Sequence, residues 1–422
     1  MSKTQLKNDE RPLIYHLNDR PPFQEMLAYA MQWLLFTIGP VISTAIVIGQ
    51  ALGLGPGEVA SFLQRLLIIS GVGCLAQVTL GHRLPILEAA AAFSWGYILF
   101  LVQRASALGL PISKLRTDVE GGLVVAGIVV AAIVVLGLAP ALVRLFTPIV
   151  TSVVIIMAVI QVAQPLVTSM IRRSDGIFDP MYMAVSVIVL GIVYGLSLSK
   201  RRALRSVSVV SGLAVGWLLS MPLGLTRTDI PAFPPASMFF SWGPPTFDTV
   251  AVITLTAGYV MFIANTIASM KAVEAAVKLP SGSERTWSRG ILVNGLVQSL
   301  SGLMAGAGTV SYPASAAIID MTGVAARAPF VLFSIILVAL GFARPVIALV
   351  ATMPASVASA ATFAAVCNMF VVAIKGLAKV DITPRRAIVI GCSVVAGIGF
   401  GQMALLAGSV ICILLENLLR CD

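Results

Sequence analysis

Apolar residues run along this chain in stretches longer than the alternation of a strand or the stripe of an amphipathic helix. The stretches 26–50, 122–140 and 330–350 each approach or exceed the roughly 20 apolar residues a helix needs to cross a bilayer. Fourteen such segments can be marked: 26–50, 59–80, 86–102, 121–138, 142–164, 181–198, 205–221, 247–270, 288–306, 312–325, 328–350, 355–374, 384–401 and 403–419. Helices are expected throughout, because lipid offers no partner to an open strand edge. The third and tenth segments are short and follow irregular sequence, Arg83-Leu84-Pro85 and Tyr312-Pro313. Interrupted segments at matching places in two halves point to a transporter binding site. Segments three and ten are seven apart, which predicts two inverted seven-segment repeats. The fold class is therefore an all-α polytopic membrane protein.

Composition strengthens this picture. The chain of 422 residues is 58% hydrophobic and 11% charged, whereas soluble domains carry about 25% charged residues. The net charge of +10 would suggest nucleic acid in a soluble protein, but basic cytoplasmic loops explain it here. With the N-terminus inside, Arg104, Lys114, Arg116, Arg172, Arg173 and Arg227 fall outside. Arg65 and Arg344 lie near or within spans, and the other 20 of the 28 Lys and Arg fall inside. The 103–120 loop is basic on the wrong side of this otherwise regular pattern. Residues 1–25 are polar, mixed in charge and lack the apolar core of a signal peptide, so they read as a cytoplasmic tail. The protein is expected as a multi-pass protein of the inner (cytoplasmic) membrane, in contact with lipid.

Four small-residue pairs, Gly49/Gly53, Gly191/Gly195, Gly212/Gly216 and Gly302/Gly306, are expected to bring helices close. Cys74, Cys367, Cys392, Cys412 and Cys421 have no ligand spacing and read as small apolar residues. There are only two histidines, and no metal cluster or hydrolase and nucleotide motif. No enzyme activity, cofactor or metal is expected.

Polar residues inside apolar segments are then the informative signal, since lipid makes them costly. Glu88 opens segment three. There it could cap a half-helix, bind a substrate N–H or carry a proton. Asp320 in segment ten is a second candidate for ion coupling, or it meets Arg327 or water. Asn265 and Ser269 in segment eight share a helix face and either bond a neighbouring helix or contact substrate. Gln32 in segment one could line the same cavity or bond to another helix. Lys271 and Glu274 read as an interfacial pair.

Several motifs, in order, resemble the nucleobase–ascorbate transporters, the family of nucleobase:cation symporters and uracil–xanthine permeases. They are Met31-Gln32-Trp33, Gly81-His82-Arg83-Leu84-Pro85-Ile86, Arg144-Leu145-Phe146-Thr147-Pro148-Ile149-Val150-Thr151, Asn294-Gly295-Leu296 with Leu300-Ser301-Gly302, and Val380-Asp381-Ile382-Thr383-Pro384-Arg385-Arg386. The resemblance spans roughly 26–419. It implies a core domain (26–138 and 247–350), a gate domain (139–246 and 351–422), and short strands before segments three and ten. It also implies a homodimer, and a nucleobase carried with a proton or sodium ion. Asn265 stands where the family's segment eight holds a base-gripping glutamate. Ala314 and Ser315 stand at its acidic or amide positions of segment ten, Ala89 at a glycine, and Glu88 where glutamine is common. The resemblance thus implies a divergent purine permease, with Gln32, Glu88, Ala89, Asn265, Ala314 and Ser315 at the substrate and Glu88 and Asp320 for the ion. The alternatives are a different solute, such as an organic or inorganic anion, or a non-transporting membrane sensor.

Overall fold

The computed structural model describes residues 13–90, 92–139, 141, 145, 147–173, 176–199, 204, 208–226, 237–280, 282–378 and 380–419. In the first half, α1 (Phe23–Ala51), α2 (Pro56–Thr79), β1 (Glu88–Ala89), α3 (Ala92–Ala107), α4 (Ile112–Val135), α5 (Pro148–Ile171), α6 (Pro180–Ser197) and α7 (Ser208–Ser220) follow in order. The second half holds α8 (Thr249–Ala276), α9 (Glu284–Leu303), β2 (Val310–Ser311), α10 (Ser315–Thr322), α11 (Arg327–Leu340), α12 (Arg344–Val350), α13 (Ala355–Leu377), α14 (Pro384–Gly399) and α15 (Ala404–Leu418). Among the described residues, seven helices are long and apolar enough to cross a membrane, or eight if α11 and α12 form one span.

The expected strands before segments three and ten are present and pair with each other. β1 and β2 run antiparallel, with Glu88 opposite Ser311 and Ala89 opposite Val310. The two half-helices therefore start from one shared ladder. The chain reaches β2 through Gly308, at φ +79°, where a Cβ would strike the Tyr259 hydroxyl.

Three element boundaries differ from expectation. Helix α4 begins at Ile112 rather than near 121, because its charges are paired locally. Lys114 meets Asp118 at 2.7 Å and Arg116 meets Glu58 at 3.3 Å, while Arg104 meets Asp248 at 2.9 Å. These bridges neutralise the basic stretch that fitted the charge rule poorly. Helix α5 begins at Pro148, where Thr147 Oγ1 accepts the Val150 N–H at 3.3 Å and Pro occupies the first turn. Residues 142–144 and 146 of the expected segment lie outside the described residues. Segment eleven bends by 81° between α11 and α12, where Gly341 precedes Pro345, which cannot donate to the preceding turn.

Glycine contacts also sort themselves. A Cβ at Gly295 would stand 2.7 Å from Gly127 O, and one at Gly302 would stand 2.7 Å from Glu120 O, so α9 lies backbone to backbone on α4. Gly212 and Gly216 receive Val193 and Val189 of α6. Gly191 and Gly195 have nothing within 4 Å, and Gly53 sits in a left-handed turn at φ +64°. These three are not helix–helix contacts, contrary to the pair pattern.

Two packing groups emerge. In one, α4 lies along α9 and α8, α2 along α11, and α1 along α2 and α11; in the other, α5 lies along α13, α15 and α14, and α6 along α7 and α13. Contacts of α1 with α13 and of α3 with α5 join them. Of the expected tail, residues 1–12 lie outside the described residues. The rest is docked: Tyr15 bridges Val324, and Ala325 N donates to Tyr15 O at 2.9 Å.

Candidate functional site

Backbone that leaves helical geometry inside a membrane must find partners within the protein. The strand pair does so residue by residue. On the β1 side, Glu88 N donates to Cys74 Sγ at 3.2 Å and Cys74 Sγ lies 3.5 Å from Glu88 O. Leu87 N donates to Ser315 Oγ at 3.0 Å, and the Tyr312 hydroxyl donates to Ala90 O at 2.8 Å. Cys74 is thus a brace for the strand rather than a mere apolar filler. On the β2 side, Tyr259 donates to Ala307 O at 3.3 Å, and Gly308 N donates to Ser301 Oγ at 2.9 Å. Thr309 N donates to Gln298 Oε1 at 3.1 Å.

Facing residues of an antiparallel pair share one side of the ladder. Glu88 and Ser311 accordingly meet: the Ser311 hydroxyl donates to Glu88 Oε1, and Asn294 Nδ2 donates to Oε2 at 3.0 Å. Ser311 Oγ also lies 3.0 Å from Thr266 Oγ1 of α8. Both described donors to the carboxylate are neutral, and Glu88 is 1% exposed.

Asn265 approaches the same serine from another side. Its Nδ2 donates to Ser311 O at 2.6 Å, and Ser269 Oγ, one turn along α8, donates to Asn265 O at 2.8 Å. A carbonyl can only accept, so the NH₂ end of the amide must face Ser311. That leaves Oδ1 buried and without a partner among the described residues. Asn265 also lines a cavity of about 10 Å³ between α8 and α5. Its other walls are Met261, Phe262 and Ala264 of α8 with Thr151, Val154 and Ile155 of α5. The amide therefore holds the strand with one N–H and leaves its oxygen as an unused acceptor.

The remaining candidates are dispersed. Ala89 is buried in β1 beside Val310. Ser315 holds β1 through Leu87, whereas Ala314 is exposed in the turn before α10. Gln32 is half-buried in α1, with Oε1 buried and unpartnered among the described residues. Asp320 is exposed near the far end of α10. Arg327, read as its possible partner, donates instead to Arg83 O at 2.6 Å and Asn18 Oδ1 at 2.8 Å. Lys271 stands over the Trp287 ring at 5.0 Å, while Glu274 is buried, so they are not the exposed pair expected. Ser311, Asn294 and Cys74 complete the Glu88 site and were not singled out from sequence. The quoted Asn294-Gly295 motif and the irregular run at 309–315 were the available signals.

Comparison with known proteins adds the following. A family model described as "Permease family" (Xan_ur_permease) matches residues 24–406. Xanthine permease XanQ of Escherichia coli is 24% identical over 414 residues, covering 92% of this chain and 86% of that protein. Xanthine permease XanP of the same species is 25% identical over 424 residues, covering 95% and 89%. Among solved structures, the transmembrane domain of the cyanobacterial bicarbonate transporter BicA matches with a TM-score of 0.66 at 13% identity, covering 95% of this chain and all of that one. That last likeness speaks for the fold alone.

Proposed function

This chain belongs to the permease family of nucleobase–ascorbate transporters, and on that premise we propose that it carries a purine or related nucleobase across the cytoplasmic membrane by cation symport. It is a transporter rather than an enzyme. The observation that carries the substrate reading is Asn265. Its side chain lines a cavity between the two packing groups and its amide oxygen is a buried acceptor without a partner among the described residues, suited to a ring N–H of a neutral base. Glu88, buried behind the strands with neutral donors, is the proton site rather than a base contact. Gln32, Ser315 and the backbone around Ala89 and Ala314 complete the binding region, and Asp320 is a subsidiary ion-coupling candidate.

In this reading the α4–α8–α9 group with α1–α3 and α10–α12 is the core, and the α5–α6–α7 and α13–α15 group is the gate. All fourteen apolar segments belong to the membrane domain, and the protein works as a homodimer. Movement of core against gate opens the cavity to each side in turn. The uncharged side chains at Asn265 and Ala314 favour a second reading, an anion carried on the same fold. The seven residues lining the cavity include no Lys or Arg, which argues for the neutral base. Radiolabelled uptake into cells lacking their own permeases, with anions and nucleobases as competitors, discriminates the two. Purine uptake that survives both Glu88→Gln and Asn265→Ala unchanged would remove the site assignment.

A further inference from the structure

Away from the cavity, the packing of α2, α4 and α9 encloses a second polar feature. Asn294, Gln298 and Ser301 follow at spacings of four and three along α9 and share one face. They are 6%, 0% and 0% exposed. Asn294 bonds the Glu88 carboxylate, Gln298 holds Thr309 N, and Ser301 holds Gly308 N. The stripe thus starts at Glu88 and climbs α9 toward its C-terminal end.

At that end lie two buried charges. Arg65 of α2 donates through Nε to Ala305 O at 3.4 Å, with its guanidinium 5.8 Å from the Phe62 ring and 5.9 Å from the Trp242 ring. Glu120 of α4 accepts Trp242 N at 3.2 Å through Oε1. The charges acting on Arg65 are Glu120 and, further out, Glu58, which meets Arg116 at the rim. Around Glu88 the described contacts are Asn294, Ser311 and Cys74, with Thr266 behind Ser311. Two buried atoms along this line lack a partner among the described residues, Thr309 Oγ1 and Glu120 Oε2, while the Gln298 amide also bonds the Tyr259 hydroxyl. Polar atoms left unpaired at this depth are costly if their only role is to join helices.

We propose that this stripe is the extracellular proton route to Glu88, separate from the substrate path between core and gate; it rests on the reading of Glu88 as the proton site. A proton arriving past the Arg116–Glu58 rim protonates the Glu120 carboxylate beside Arg65. Glu120 then gives it up and returns to carboxylate. Water admitted beside the unpartnered Glu120 Oε2 and Thr309 Oγ1 carries the proton on, the Thr309 and Ser311 hydroxyls each accepting one proton and releasing one so that they end unchanged, while Gln298 and Ser301 hold the backbone that aims them. Glu88 gains the proton and becomes the neutral acid. The ligand class is a proton rather than a metal cation. Hydroxyls and amides with one carboxylate at each end make a relay, not a cluster of oxygen ligands.

The test uses the full protein in proteoliposomes with tritiated xanthine. Two readouts are compared: exchange counterflow, which needs no proton gradient, and uphill accumulation driven by an imposed one. Glu120→Gln and Thr309→Val are expected to keep counterflow and to lose accumulation by about tenfold or more. Thr309→Ser, which retains the hydroxyl, is expected to restore it. Equal losses of counterflow and accumulation would mean a packing role and overturn the route, as would accumulation retained in both variants. If Glu88→Gln abolishes accumulation while the stripe variants keep it, the route alone fails. If Glu88→Gln keeps accumulation, the Glu88 reading fails and the route with it. Absence of any xanthine flux in the wild type removes the substrate reading on which both stand.

Discussion

Glu88 and Ser311 face each other across an antiparallel ladder of two residues per strand, with the serine hydroxyl bonded to the carboxylate. The carbonyl of that same Ser311 is held by Asn265. One residue therefore touches both the amide proposed to bind the base and the carboxylate proposed to bind the proton. On that proposal, a pull on Asn265 by substrate is felt at the group that donates to Glu88. This is the two-sided contact that coupling requires: each ligand must change the other's free energy.

Ser311→Ala removes the hydroxyl and leaves the strand backbone in place. Its expected effect is selective. The half-saturating purine concentration should stay within about a factor of three, while gradient-driven accumulation falls by about tenfold, a coupling loss of the usual 1–3 kcal/mol. Uptake against concentration, with and without a pH gradient, measures both. Equal decline of the two would show that the hydroxyl only supports the fold.

Asn265→Ala should raise the half-saturating concentration by about 10- to 100-fold, from loss of one acceptor and one buried strand contact. Asn265→Asp should be worse despite its smaller change in shape, because a carboxylate oxygen would then face Ser311 O with no hydrogen between them. An aspartate variant that outperforms alanine would contradict the donor role of Nδ2.

At Gly308, alanine meets two penalties, a left-handed backbone at φ +79° and a Cβ directed at the Tyr259 hydroxyl. Gly308→Ala is expected to cost about 1–3 kcal/mol, seen as a lower unfolding temperature in detergent. In a Tyr259→Phe background the added cost should shrink, since the struck atom is gone. Purely additive losses would show that the backbone angle alone is responsible.

Gln161 of α5 donates through Nε2 to Gly96 O of α3 at 2.7 Å and accepts Leu405 N of α15 at 3.0 Å. A Cβ at Gly96 would stand 2.8 Å from Gln161 Cδ. This amide ties the two packing groups together in the conformation seen. Gln161→Leu should loosen it by roughly 1–3 kcal/mol, two hydrogen bonds' worth. The readout is faster maleimide labelling of Thr151→Cys in a cysteine-free background. An unchanged labelling rate would remove the latch.

Asp248 caps α8 by accepting Ala251 N at 3.0 Å and Arg104 Nη1 at 2.9 Å. Partial burial pushes its carboxyl up, but the Ala251 N–H and Arg104 outweigh that and hold it below the usual carboxylate range. A depressed folded-state value means stability present above the unfolded value of about 3.9 and lost as pH falls through the folded one. Asp248→Asn keeps a cap but not the charge, so the decline of unfolding temperature below about pH 4 should become shallower. An identical acid limb would show that the ion pair contributes nothing.

The hydrophobic pattern alone determined much of this protein. Apolar runs located the helices because lipid admits little else, and the breaks at Arg83-Leu84-Pro85 and Tyr312-Pro313 located the interruptions of segments three and ten because proline and irregular backbone cannot continue a span; the strands there were implied by the family resemblance. Glu88 and Asn265 stood out for the same reason, as polar groups where polarity is costly. Local pattern could not assign them roles. The contacts that do so, Asn294 to Glu88 and Ser311 to Glu88, join residues 206 and 223 positions apart. Nor could it foresee that Lys114, Arg116 and Arg104 would be neutralised by carboxylates, or that Arg65 and Glu120 would be buried together. Apolar burial is proportional to area and legible one residue at a time. A hydrogen bond or an ion pair exists only between two groups at a set distance, and only the tertiary structure fixes which two.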